Sequence, residues 1–308
     1  VNARRSALLI MLATLAGFAL RLVLLDAHPL REDEAIYSMW ARAAWDDPWF
    51  LHTWPDKPPL FLWLQAGALR LWGASDAGAR LLSIFAGTTT IPLAAATAQR
   101  VWRGVAWQRG AAVAAAWLLA LNPFAIAFAP TAYTDTLLLF WAMLALALGL
   151  RGRWLGAGAA LGAAIMTKQQ GLLFVPLMAA LPLVYMQAGA RLRVWALLVL
   201  GAALVLLPIL AWDAARWASA PSPWDLGVRN YGALRLAPPE LWLNRARSWA
   251  ILLRYMGGNW AGWLALVVLT LGGVVALRRT APHPRPLSMR RTAPHPPAPP
   301  PRGGGGGC

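Results

Sequence analysis

Apolar runs of membrane length, separated by arginines, constrain this chain more than any other feature. Arg4 and Arg5 precede the first run, residues 6–25, which at about 1.5 Å per residue matches a hydrocarbon core of about 30 Å. Its core is longer than that of a cleaved signal peptide, and residues 24–29 offer no small-residue cut site, so a retained signal anchor is expected. Further runs cover 81–98, 111–129, 136–150, 154–167, 171–187, 194–212 and 260–277. With 59% hydrophobic and 13% charged residues, the chain is far more apolar than a soluble domain of 308 residues needs to be. The expectation is an all-α polytopic membrane protein with about eight transmembrane helices and both termini inside.

The arginines orient those helices. Arg100, Arg103 and Arg109, then Arg151 and Arg153, Arg191 and Arg193, and Arg278 and Arg279 flank alternate ends of the runs and mark an inner face. The resulting topology places Asp26, Glu32, Asp33, Glu34, Asp46, Asp47, Asp56, Asp76, Asp135, Asp213, Asp225 and Glu240, all twelve acids of the chain, on the outer side. Acids contribute little to orientation, so their one-sidedness points to where chemistry happens. The predicted location is the plasma (inner) membrane, with the site extracytoplasmic.

Between the first two runs lies a long outer loop, residues 26–80. Within it, residues 60–73 are too short to span at about 21 Å, and if they did, Lys57 or Arg100 would sit on the wrong side. Pro58 and Pro59 suit the first turn of a helix. Leu60, Trp63, Leu64, Leu71 and Trp72 give that helix a lipid-facing side. Residues 34–45 read similarly, with Ile36, Met39, Trp40 and Ala43 at helical spacing. The tryptophans fit an aromatic belt at headgroup level better than a sugar-stacking platform.

From residue 278 the composition changes. Arg-Arg-Thr-Ala-Pro-His-Pro at 278–284 recurs at 290–296, followed by a proline run, five glycines and Cys308. The division expected is a membrane catalytic domain over 1–277 and a disordered tail over 278–308.

A net charge of +16 would suggest nucleic acid if the basic residues shared a water-exposed face. Here they punctuate apolar runs, and no nucleic-acid partner is expected. The single cysteine excludes an internal disulfide and a cysteine metal cluster, and four histidines, two of them in the tail repeat, make a histidine-rich metal site unexpected. Arginine outnumbers lysine 26 to 2, which draws attention to Lys57 and Lys168.

Residues 31–59 put carboxylates and a lysine between apolar segments, and an ionisable cluster in such a setting is a functional hypothesis by default. The bland alternative is a solvated loop with scattered charges. Transfer of a sugar from a lipid phosphate needs a base for the acceptor hydroxyl and cations for the departing phosphate. Asp33 and Glu34 offer the base, and Lys57 offers a point charge for phosphate. Helix neighbours diverge by about 100°, so one of the two acids is expected to face the acceptor, and Asp33 is chosen. Asp56 and Asp135 are candidates to complete the substrate pocket, and Arg80 to join Lys57 on the phosphate. Lys168 is a further substrate-binding candidate, although a lysine at the outer end of a span commonly snorkels.

An outer-loop Asp-Glu shortly after the first helix, a Lys-Pro-Pro before an interfacial helix, Arg80, and Asp135 after Asn122-Pro123 together resemble the GT-C membrane glycosyltransferases of family 39, relatives of the protein O-mannosyltransferases and of the lipid A aminoarabinose transferase. The resemblance covers about residues 1–277. It implies an inverting transferase that moves a sugar from a polyprenyl-phosphate donor to a lipid, glycan or protein acceptor on the extracytoplasmic face. By similarity Asp33 matches the catalytic acid of the Asp-Glu motif and Lys57 the donor-phosphate lysine. Family members usually continue with more helices, so a C-terminally truncated chain is expected. The more distant oligosaccharyltransferases use a divalent metal held by outer-loop acids. The closer relatives do not require one, and no metal or other cofactor is expected here.

Two rivals from other classes remain at this stage. A transporter or flippase for lipid-linked sugars would need charges and broken helices near the bilayer midplane, whereas these charges sit at the outer lip. A noncatalytic membrane scaffold would have no use for the pairing of Asp-Glu with Lys-Pro-Pro.

Overall fold

A computed structural model describes residues 2–232 and 238–280, with side chains up to residue 272. Those residues form thirteen α-helices and no strand, as expected of an all-α membrane chain. Three helices are long and apolar enough to cross a membrane: α1 (Ala3–Val23), α4 (Asp76–Val101) and α10 (Ala188–Arg216). Their 21, 26 and 29 residues give lengths of roughly 31–43 Å. Shorter apolar helices stand at the other expected spans, α7 (Thr134–Gly149), α8 (Trp154–Thr167), α9 (Val175–Tyr185) after a 3₁₀ turn at Gln169–Phe174, and α13 (Trp260–Thr280).

The glycines of α8 explain how so short a helix serves. Gly158 faces the backbone of Leu198 on α10, Gly162 faces Ala202, and Gly201 of α10 faces the carbonyl of Leu155, so a Cβ at any of them would meet backbone. Small residues four apart let two membrane helices touch main chain to main chain. As a result α8 is buried along most of its length between α7, α10 and α3 (Pro59–Trp72), and does not have to match the bilayer by itself.

One expected span is corrected. Residues 111–129 form two helices, α5 (Gln108–Ala120) and α6 (Pro123–Phe128). In a continuous helix the carbonyl of Leu119 would accept from the N–H of residue 123, which is proline and has none. Arg21, wholly buried on α1, reaches over to it instead, with Nη2 3.4 Å from the Leu119 oxygen and Nη1 2.7 Å from that of Gly17. Asn122 starts α6 by accepting from the Ala125 N–H at 2.8 Å.

Arg100, Arg103 and Arg151, expected on one face, approach one another at one end of the bundle. At the other, α2 (Glu32–Ala43) and α3 lie over the helix ends. Both helices stand where surface helices were expected: Ile36, Met39, Leu64, Leu71 and Trp72 are exposed, while Tyr37, Ala41, Phe61, Leu62 and Leu69 pack inward. Leu60 and Trp63, expected on the lipid-facing side of α3, and Trp40 of α2 are instead half-buried against the core, Trp63 edge-on to Trp212. The polar stretch expected after α10 contains two helices not anticipated, α11 (Pro223–Tyr231) and α12 (Trp242–Met256). The expected domain end at 277 falls within α13, which continues to Thr280; the tail expected to be disordered lies, from 281 on, outside the described residues.

Candidate active site

The long loop between α1 and α4 is held in place by hydrogen bonds from several elements. Asp47 accepts from the N–H groups of Leu51 and His52, Arg216 of α10 donates to the carbonyl of Trp49 at 3.1 Å, and Trp45 Nε1 donates to the carbonyl of Ala66 on α3. Between them Phe50 adopts φ 51° and is fully buried edge-on to Trp212. That backbone costs a non-glycine residue of order 1–3 kcal/mol and is held by the ring's burial.

Asp33 and Glu34 face different surroundings, as neighbours on a helix must. Glu34 is buried. It accepts from the N–H groups of Arg31 and Ala132 and faces the Arg80 guanidinium, with Arg80 Nε 3.2 Å from Oε1. Burial alone would push its carboxyl up; the Arg80 side chain and the two backbone donors outweigh this and hold it below the usual range. Arg80 uses all five of its N–H groups, on Glu34 and on the carbonyls of Leu25, His28 and Pro29. None remains for a phosphate. Together they fasten α2 to α4 and to the turn before α2, and the roles expected of them, Arg80 beside Lys57 on the donor and Glu34 as a base, would each require this pair to open. Asp33, by contrast, is exposed, and its carboxylate has no hydrogen-bond or ion-pair partner among the described residues.

Lys57 and Asp56 form a buried pair at 3.0 Å. The ammonium also lies 3.9 Å from the centre of the Tyr231 ring and 5.9 Å from that of Tyr37. Asn230 donates to the second oxygen of Asp56 at 2.9 Å, and Gln169 donates to its main-chain carbonyl at 2.8 Å. Gly227 allows this docking of α11, since a Cβ there would run into the Gln169 amide. Desolvation pushes the Asp56 carboxyl up, but Asn230, Lys57 and Tyr231 together bring it below its ordinary value. Desolvation and the hydrogen bond to Asp56 push the Tyr231 phenol up to about 12.

Asp135, at the start of α7, pairs with Lys168, at the end of α8, at 2.6 Å. Tyr37 connects these parts: burial first, then the charges of Asp33, Tyr231, Asp56 and Asp135, keep its phenol protonated far into the alkaline range. Asp33, Asp56, Lys57 and Asp135 thus gather around one buried tyrosine, with Lys168 joined to them through Asp135. Glu34 and Arg80 stand to the side, where with His28, Arg31 and Thr131 they line a separate cavity of about 120 Å³. Among the described residues no three His, Cys, Asp or Glu side chains converge in metal-binding geometry.

Tyr37, Gln169, Asn230 and Tyr231 were not singled out from the sequence. Asn230 is 174 positions from Asp56, and no local pattern announces such a contact. Tyr37 carried a weak signal, one turn after Asp33 on the same helix face.

Carboxylates and a buried ammonium thus gather at the acidic end of a helical membrane bundle, and the match to a family model makes this bundle a membrane glycosyltransferase of the GT-C type. Residues 56–212, just over half of the chain, match the family described as dolichyl-phosphate-mannose-protein mannosyltransferase, and the chain belongs to that family. The matched stretch contains Asp56, Lys57, Arg80, Asp135 and Lys168; Asp33 and Glu34 precede it, and Asn230 and Tyr231 follow it. No curated protein and no solved structure matches the chain.

Proposed function

We propose that the chain transfers a sugar from a polyprenyl-phosphate donor to a hydroxyl of a lipid, glycan or protein acceptor at the extracytoplasmic surface of the plasma membrane. The observation that carries this reading is the common surroundings of Asp33 and Lys57. An unengaged carboxylate one turn before Tyr37 and a buried ammonium 5.9 Å from its ring support a base and a phosphate-binding cation acting together.

In the proposed reaction Asp33 takes the proton of the acceptor hydroxyl as its oxygen attacks the anomeric carbon. The bond from that carbon to the phosphate oxygen breaks, and the electron pair leaves with the lipid phosphate. Lys57 meets the charge that grows there, an interaction stronger in the transition state than before it. For this the phosphate has to displace Asp56 from the ammonium. Asn230 and Tyr231 already hold the other side of that carboxylate, so it has partners to fall back on. In this reading Asp135 and Lys168 meet hydroxyls of the transferred sugar. The proposed reaction uses no metal.

The test is transfer from purified polyprenyl-phosphate sugars by the chain in lipid nanodiscs, followed by mass spectrometry of lipid and protein acceptors. A sugar-modified acceptor that disappears with Asp33→Asn is expected. Donor that stays intact with every acceptor, while the protein remains folded, would refute the activity.

A further inference from the structure

α12 is a candidate for contact with a surface that the transferase reading leaves out. At about 100° per residue, Trp242, Ala246, Trp249, Leu253 and Met256 share one face, forming with Leu243 and Ala250 an apolar arc of about 140°. Trp242, Leu243, Trp249, Leu253 and Met256 are all exposed. Arg245 borders one edge of the arc, and Arg247 and Arg254 border the other. Asn244, Ser248 and Tyr255 lie opposite, joined by Ile251 and, beside Arg245, by Leu252, and the helix contains no acid.

Connectivity says what covers this face. Only Gly257, Gly258 and Asn259 separate α12 from α13, an apolar helix that begins with Trp260. Gly258 takes φ 79° in that turn, and Asn259 accepts from the Gly262 N–H at 2.8 Å to start α13. The same end is tied to the bundle, with Asn122 donating to the carbonyl of Met256 at 2.8 Å. A helix fastened where its neighbour enters the bilayer lies at the boundary between hydrocarbon and headgroups. There an apolar arc edged with arginines places its side chains among the acyl chains and its guanidinium groups at the phosphates.

We propose that α12 lies in the membrane interface and binds anionic phospholipid headgroups through Arg245, Arg247 and Arg254. Its occupant is the bilayer itself, neither a protein partner nor a second copy of this chain.

The test uses the full chain, with Cys308→Ser, in nanodiscs of phosphatidylcholine with or without phosphatidylglycerol. Single cysteines replace Ala246, Trp249, Asn244 or Ser248 and carry nitroxide labels, and collision with oxygen and with a water-soluble nickel chelate is measured. In the phosphatidylglycerol discs the labels at 246 and 249 are expected to favour oxygen, and those at 244 and 248 nickel. Removing phosphatidylglycerol, or changing the three arginines to glutamine, should shift 246 and 249 towards nickel. Four labels equally open to nickel would overturn the interfacial placement. Labels at 246 and 249 shielded from both reagents would indicate a protein partner and overturn it too. A pattern indifferent to phosphatidylglycerol and to the arginine changes would overturn headgroup binding. Sugar transfer is read separately, so the failure of either proposal leaves the other standing.

Discussion

The Lys57 ammonium sits 3.9 Å from the centre of the Tyr231 ring while also bonded to Asp56 at 3.0 Å. The charge is thus enclosed by an aromatic face and a carboxylate, brought together from opposite ends of the chain. Such an ammonium is held in place before a phosphate arrives, with part of its desolvation already compensated.

Neutralising it should therefore be costly. A charge-assisted hydrogen bond is worth about 1.5–3 kcal/mol, so Lys57→Met is expected to slow transfer by about 10- to 100-fold. Lys57→Arg keeps the charge but presents a planar fork, and should recover only part of that loss. Steady-state transfer by folded variants is the measurement. A wild-type rate for Lys57→Met would remove Lys57 from the phosphate.

Acid should loosen this layer before the bundle. Glu34 and Asp56 both have carboxyls held below their ordinary values, so the unfolded chain binds more protons than the folded one wherever they titrate. Their contribution is complete above the unfolded values, about 4, and is lost as pH falls through the lower folded ones. Unfolding followed by intrinsic fluorescence should show a stability that is flat from neutral pH to about 5 and falls below that. Glu34→Gln should flatten the acid limb.

The architecture was legible from the sequence because membrane helices announce themselves by apolar length and arginine flanks, without help from distant residues. The surface helices were legible for the same reason, since Pro58, Pro59 and the leucine spacing are local signals. The break at Asn122-Pro123 was equally local, but an apolar run hides a missing N–H. The separate parts of Glu34 and Arg80 could not be read, because they depend on where the carbonyls of 25–29 and the N–H of Ala132 point. Asn230 and Tyr231 were out of reach, since α11 docks through Gln169 and the space left by Gly227.

Two glycines separate packing from propensity. Gly67 in α3 has open space where a Cβ would stand, so Gly67→Ala should raise stability by up to about 1 kcal/mol through helix propensity. Gly158 of α8 faces the Leu198 backbone of α10, and Gly158→Ala should force the most closely packed helix pair apart. Thermal unfolding in one detergent compares them: opposite signs are expected, and equal effects would mean that the main-chain contact is not what orders α8.

The expected sidedness can be tested because Asp33, Asp56 and Asp135 gather at one end and Arg100, Arg103 and Arg151 at the other. Asp46 and Arg229 are exposed at the acidic end, and Val105 follows the arginines of α4's far end. In intact cells, cysteines replacing Asp46 and Arg229 in a Cys308→Ser background should react with an impermeant thiol reagent, and one replacing Val105 should react only after permeabilisation. Labelling at 105 in sealed cells would reverse the orientation.

The division between Asp33 and Glu34 makes the sharpest prediction. Loss of a general base costs about 10²–10⁴-fold in rate, and Asp33→Asn removes an exposed carboxylate that supports nothing else, so turnover should drop by that amount while thermal stability hardly changes. Glu34→Gln leaves the buried Arg80 guanidinium without its counter-charge, and Arg80→Met leaves the buried Glu34 carboxylate without its own. Breaking a buried pair from one side costs about 3–5 kcal/mol, so both variants should unfold at lower temperature. Combining the two should recover part of the loss, because neither charge is then stranded. At temperatures where they stay folded, the Glu34 and Arg80 variants should retain donor affinity, since neither side chain has a free group to offer a phosphate. If Glu34→Gln proves stable and inactive while Asp33→Asn turns over normally, the base is Glu34, and the Arg80 pair has to open during the reaction.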